Sequence, residues 1–325
     1  MLCAVGTAAL SAGAASAPTA EPLRRIGILM PYAEDDPEPQ AMVAAFRERL
    51  QQLGWTTGRE VRIDYRWTGA EAGRIRQAAK EIVALQPDVI FGRATGAIAV
   101  LHQETTTIPI VFVLVSDPVG DGFVATMARP GGNITGFTSA EASLAGKWLE
   151  LLEDTAPGFS RIALMFNPRT APGGGAYYLR LIETAAAAVA VKVVVAGVQE
   201  SAEIERIIGA FAREPGGGLV VAPDLFTTQY RAAIIAAAAK YKVPAIYPFR
   251  FEAVEGGLVS YGVDVADLHR RAAGYVDRIL RGQKPADLPV QSPEKYDLVI
   301  NSKTAKALGL SIPPSILSRA DEVIE

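Results

Sequence analysis

Short runs of aliphatic and β-branched residues alternate along this chain with longer segments whose apolar positions recur every three or four residues. RIGILM (residues 25–30), closed by Pro31, predicts a buried strand. The following EPQAMVAAFRERLQQLG sets Met42, Val43, Phe46, Leu50 and Leu53 at helical spacing and stops at Gly54. VRIDYRW, DVIFG and PIVFVLV predict three more strands, separated by the helical segments AEAGRIRQAAKEIVALQ and TGAIAVLHQETT. Such alternation predicts a parallel sheet with helices on both faces.

The pattern then starts again. RIALMF (residues 161–166) matches RIGILM, and each leads into a proline-containing loop. GAYYLRLIETAAAAVAV, SAEIERIIGAFARE (with Ser201 placed as its cap) and TTQYRAAIIAAAAKYK predict helices. VKVVVAGV, GLVVAP and VPAIYPF predict the strands between them. Ile26 matches Ile162, Val89 matches Leu219 and Pro109 matches Pro244, an offset of 130 to 136 residues. Two doubly wound lobes follow from this repeat. Beyond Phe249 come a strand near residues 258–261, a helix to Leu280, the strand-like YDLVIN and the helix SKTAKALGL.

Between the copies lies SDPVGDGFVATMARPGGNITGFTS (residues 116–139). It contains neither G-x-x-x-x-G-K-[ST] nor G-x-G-x-x-G, so a phosphate loop is the weaker reading. Its position makes it a crossover between lobes, with PGGN as a turn and NITGFT as an extended hinge segment.

Composition narrows the function. The chain has 325 residues, half of them hydrophobic and 21% charged, with a formal net charge of -3 and no long block of one sign. A nucleic-acid partner would need a concentrated basic surface. Residues 1–20 are small and apolar, with Ala15-Ser16-Ala17 as an A-x-A site, which reads as a secretory signal peptide. The one cysteine, Cys3, falls inside it. A mature chain without disulfides would be stabilised by its core, as suits a bacterial periplasm.

SDPVGDGFVATMARPGGNITG, PADLPVQSPEKYDLVINSKTAKALGL and the closing RADEVIE resemble the ABC-transporter substrate-binding family typified by tryptophan- and tyrosine-binding lipoproteins. The likeness runs from about Arg24 to Glu325. It implies the type I periplasmic-binding-protein fold: two Rossmann-like lobes joined by three crossovers, with a ligand cleft between them. Residues 24–137 with about 263–289 would form one lobe, and residues 138–262 with about 290–325 the other. It implies a monomeric periplasmic solute-binding protein that needs no cofactor, binds an amino-acid-like solute by hinge closure and serves an ABC permease. Two features depart from the family pattern: Thr95-Gly96, preceded by Arg93, where Thr-Pro is common, and no evident lipid anchor.

Ligands of open α/β sheets bind beyond the carboxyl ends of the strands. The first wall of the cleft would then hold residues 31–36, 92–96 and 116–117, and the second residues 167–171, 223–227 and 249–251, with residues 261–264 near a later crossover. Thr95, where a helix begins, can hold a carboxylate or cap its own helix. Arg93 can grip a carboxylate or pair with the acidic loop AEDDPEP, whose own reading is a solvated rim. Asp117, Asp224 and Asp264 are candidates for a ligand ammonium. The weightier alternative for Asp117 is an Asx turn, and Asp224 can equally cap a helix. Tyr32, Phe226, Phe249 and Tyr261 can cover a ligand or simply pack their lobes. Ser116 and Asn167 complete the candidate set.

No G-x-S-x-G and no metal-ligand spacing is present, and His102 and His269 fall inside predicted helices. A carboxylate enzyme using Asp117 and Asp224, or a sensor feeding a periplasmic receptor, are the alternatives to a transport role.

Overall fold

The computed structural model describes residues 23–139 and 143–325, so the leader-like segment 1–20 lies outside the described residues. Two sheets divide the chain. The first holds β1 (Arg24–Met30), β2 (Val61–Trp67), β3 (Val89–Arg93), β4 (Ile110–Val115) and β5 (Ile134–Thr138), all parallel, in the order β2-β1-β3-β4-β5. The second holds β6 (Arg161–Phe166), β7 (Lys192–Gly197), β8 (Gly217–Val221), β9 (Ala245–Tyr247), β10 (Val259–Val263), β11 (Tyr296–Asn301) and β12 (Glu322–Ile324). Its order is β12-β11-β10-β9-β8-β6-β7.

The strands β7-β6-β8-β9-β10 repeat the winding of β2-β1-β3-β4-β5. Equivalent backbone bonds recur as well. Ile90 N donates to Pro109 O and Leu219 N to Pro244 O, both at 2.8 Å. The duplication read from spacing is thus a duplication of hydrogen-bond register, with one correction: Ile26 pairs with Val89 and Ile162 with Gly218, so Leu219 is the equivalent of Ile90 and not of Val89. β10 and β11 pair antiparallel, which extends the second sheet beyond the repeat.

The apolar runs become central strands because both of their faces are covered. Every residue of β3 and β4 is buried. The covering helices are amphipathic: Ile204–Phe211 turns Ile204, Ile208 and Phe211 inward and leaves Glu205 and Arg206 in water. After β10 the chain returns to the first lobe. The helix Val265–Leu280 buries Leu268, Ala272, Val276 and Leu280 in the core that holds Phe46, Phe91 and Val113.

Three crossovers join the lobes: after Thr138, at Asp264, and over residues 291–295. They are tied side by side. Thr138 N donates to Gln291 O and Gln291 N to Gly136 O, both at 3.0 Å, and Asp264 N donates to Lys295 O at 3.2 Å.

Two expectations are corrected. The segment expected as an extended hinge, NITGFT, contains β5 itself. Ile134 through Phe137 register against Ile110 through Val113, because β4 would otherwise present an open, fully apolar edge. The crossing comes only after Thr138. Ser201 is not a cap either: Glu200 precedes the first turn, and the Glu203 carboxylate accepts from the Gln199 and Glu200 backbone N–H groups at 2.9 and 3.1 Å.

Gly136 shows how closely β5 is held to β4. A Cβ there would lie 2.1 Å from Phe112 O. Gly136→Ala should destabilise the protein by about 1–3 kcal/mol through overpacking. Urea denaturation checks this, and an unchanged midpoint would mean that β5 is not packed as described.

Candidate functional site

Parallel winding sends every strand of a repeat to the same sheet edge, and the two such edges meet. Ser116, just past β4, lies 2.9 Å from the phenol of Tyr178, which stands in the first turn of the helix Ala176–Ala188 of the other lobe. The direction of this bond follows by elimination. Tyr178 OH donates to Pro223 O at 2.9 Å, so its oxygen accepts from Ser116, and Ser116 in turn accepts from Ser139 at 2.8 Å. A hydroxyl relay thus runs from the first crossover across the cleft. Burial raises the Tyr178 pKa, countered only in part by the Ser116 bond, so the phenol stays a neutral donor.

Two further bridges cross the cleft. Arg231 grips Asp36 with both terminal nitrogens, at 2.9 and 3.1 Å, while its Nε bonds Glu255 at 2.9 Å. Ala70 N donates to Gln229 Oε1 at 2.6 Å. Leu225, Phe249 and Phe251 of the second lobe belong to the apolar core of the first. The lobes are therefore closed on each other. The acidic loop is not merely a solvated rim: Asp36 accepts from Glu38 N at 3.2 Å at the start of a helix and holds the opposite lobe. Nothing local could show this, because its partner stands 195 residues away.

Arg93 does not pair with that loop. Its side chain is 1% exposed and lies over the Tyr32 ring, with Cζ 4.5 Å from the centroid. No described residue accepts a hydrogen bond from it, and its Nε is enclosed. Burial raises the Tyr32 pKa more than the neighbouring Arg93 lowers it, so this ring too is neutral.

The remaining candidates are mostly committed to the protein. Thr95 neither caps its helix nor stands free: its Oγ1 accepts from Ser116 N at 3.4 Å. Asp117 folds onto its own turn, accepting from Gly120 N at 2.9 Å. Asp224 is buried and caps the next helix through Phe226 N at 2.8 Å. It also accepts from Asn167 N at 2.7 Å and from the Thr170 hydroxyl. Asn167 itself is buried and holds the loop after β6 through Arg169 N. Asp264, the third candidate for a ligand ammonium, accepts from Asp267 N at 2.9 Å and pairs with Lys295 at 2.9 Å, so it secures a crossover. Burial would raise its pKa, but the bonds from Lys295 and Asp267 bring it below the ordinary value. Phe249 stacks on Phe251, Phe226 tilts onto Tyr230, and Tyr261 stacks on Tyr296.

A cavity of about 360 Å³ opens between the lobes, with Thr68, Gly69, Ala70 and Arg74 on one side and Asn167, Thr170, Gln199, Phe226 and Tyr230 on the other. A wider depression of about 580 Å³ on the outer face, beside Glu205, Arg213 and Tyr241, touches no strand end, so volume alone does not locate the site. The sequence reading missed Tyr178, Gln229 and the loop after β2. That loop was legible in principle: β2 is parallel to β1, so its end reaches the same edge, and Gly69 N bonds Tyr32 O at 3.0 Å. Tyr178 follows the same logic, standing at the cleft end of its helix.

The family model described as ABC transporter substrate binding protein matches residues 28–324, and the chain belongs to that family. It is 26% identical over 265 residues to a tyrosine-binding protein of Clostridioides difficile, covering 82% of this chain and 75% of the relative. It resembles a conserved domain protein of Vibrio cholerae with a TM-score of 0.87 at 28% identity, covering 93% of this chain and all of that one. A Streptococcus domain solved in complex with L-Trp gives a TM-score of 0.86 at 24% identity, with the same coverage. The fold is the type I periplasmic-binding-protein fold.

Two buried ionisable groups beside the cleft set a pH profile. Burial pushes the Glu252 pKa up to about 8, and burial together with Arg93 pushes His269 down to about 3. The folded state holds the Glu252 proton more tightly than the unfolded state does. That stability is full below about 4.5 and is lost as pH rises toward 8. For His269 the sign reverses: its contribution is full above about 6.5 and is lost as pH falls toward 3. Each slope is at most about 1.4 kcal/mol per pH unit. The two should cancel between about 4.5 and 6.5 and leave falling limbs outside. Glu252→Gln should flatten the alkaline limb and His269→Leu the acid limb in denaturation series. Unaltered limbs would refute the assignment.

Proposed function

We propose that this member of the ABC transporter substrate-binding family is the solute-receiving component of an importer. It takes a small amino-acid-like solute, aromatic in first place, between its lobes and closes about the three crossovers. It then presents the closed form to an inner-membrane permease from the periplasm. The observation that carries this reading is the direct bonding of the two strand-end edges, above all Ser116 to Tyr178 and Asp36 to Arg231. Side chains that bond across the cleft supply part of the closing free energy, and a solute touching both walls adds the rest and shifts the population.

Support for the solute class comes from the relatives: one is named tyrosine-binding and another was solved with L-Trp. The aromatic side chains gathered at the edges, Tyr32, Phe226 and Phe249, suit a flat apolar group. Asp117 and Asp224 form no pair: each is committed to backbone donors of its own lobe, which leaves an acid–base reading without a free couple.

Native mass spectrometry of unrefolded protein should release a stoichiometric amino acid on denaturation, and titration calorimetry should rank L-tryptophan, L-tyrosine and L-leucine. An empty protein that binds none of the three would sink the solute assignment. The bridge has its own test. Asp36→Asn keeps a helix-capping side chain but loses the charge pair. Removing a half-buried pair at about 1.4 kcal/mol predicts roughly tenfold weaker binding, with a more open ligand-free form in small-angle scattering. Unchanged affinity and an unchanged radius of gyration would exclude the bridge as part of closure.

A further inference from the structure

Other arginines that the fold partly buries are paired among the described residues. Arg231 has Asp36 and Glu255, Arg271 has Gln291 and Glu294, and Arg161 has the carbonyls of Phe211 and Glu214. Arg93 is more buried than any of these and has no acceptor among the described residues. The Tyr32 ring under its guanidinium satisfies a face, but it leaves the five N–H donors unused. Burying a cation without a counter-ion is costly, and nearby anions are taken. Asp36 is held by Arg231, and Asp224 accepts three protein donors.

The other polar groups at this edge are also occupied. Thr95 accepts from the Ser116 backbone, and the Ser116 hydroxyl is spent on Tyr178. One uncommitted acceptor lies close by. His269 Nδ1 bonds Val265 O at 2.8 Å, which places the proton there and leaves Nε2 an enclosed lone pair. A neutral imidazole cannot balance the Arg93 charge, so an anion is still missing.

We infer that Arg93 determines the specificity of the cleft by receiving a carboxylate of the solute at the end of β3, beside Tyr32. This deepens the solute-binding reading and rests on it. It moves the anion site from the helix start at Thr95 to a side chain, and a guanidinium can hold a carboxylate with two parallel bonds.

Wild-type protein, Arg93→Met and Arg93→Lys are titrated with L-tryptophan and L-tyrosine, and with tryptamine and tyramine, which lack the carboxylate. The wild type should prefer the acids over the amines by about 100-fold. Arg93→Met should lose that preference, Arg93→Lys should recover part of it, and ligand-free Arg93→Met should melt above the wild type. Equal binding of acids and amines by the wild type, or full acid affinity in Arg93→Met, overturns the inference. The acid–amine comparison stands on the wild type alone should a variant fail to fold. If the wild type binds none of the four, thermal unfolding in sodium propionate against sodium chloride at equal ionic strength decides. Stabilisation of the wild type but not of a folded Arg93 variant keeps the anion site and rejects only the amino-acid assignment. No propionate effect on the wild type rejects both.

Discussion

Everything in this molecule depends on one geometric constraint. A parallel strand cannot return beside its neighbour by a tight turn, so each strand is followed by a helix and all strands of a repeat end at the same edge. Tyr32, Arg93, Ser116, Asn167, Asp224 and Phe249 all stand at that edge or one step beyond. Duplication supplies two such edges, and the three crossovers set them face to face. The cleft is thus a consequence of winding, and its chemistry comes from whatever side chains occupy the strand ends.

The energetics divide by depth. Closed apolar packing fixes each lobe, with β3 and β4 buried throughout, while the contact between lobes uses few and separate bonds. Hydroxyl and amide bridges of net worth near 1 kcal/mol each can be broken and remade on opening. Arg93 Nε and His269 Nε2 are among the buried polar atoms without a partner among the described residues, each a cost that the apolar packing around it must offset.

Much of this was legible in the sequence. Strand and helix periodicity gave both windings, because a two-sided burial requirement writes itself into apolar runs and 3.6-residue spacing alike. The strand-end rule found Arg93, Ser116 and Asp224 by position. What it could not give was commitment. Asp224 and Asp264 look like ligand acids until their backbone donors are seen, and short acidic side chains before helices serve capping more simply. Long-range pairs were invisible for the same reason. Asp36 and Arg231, or Ser116 and Tyr178, are brought together by the docking of lobes and by no local pattern. β5 was read as a hinge because it stands between the two copies of the repeat, whereas Gly136 is there to let two strands approach.

The central claim is that the two edges close on each other about the crossovers. With Cys3 replaced by serine, spin labels at Glu48→Cys on the first lobe and Glu183→Cys on the second report the interlobe distance by electron double resonance. Both positions are exposed. Bound solute is predicted to narrow the distribution to the separation of the closed structure, with longer distances populated in its absence. A single distribution, identical with and without every solute that binds, would contradict the account.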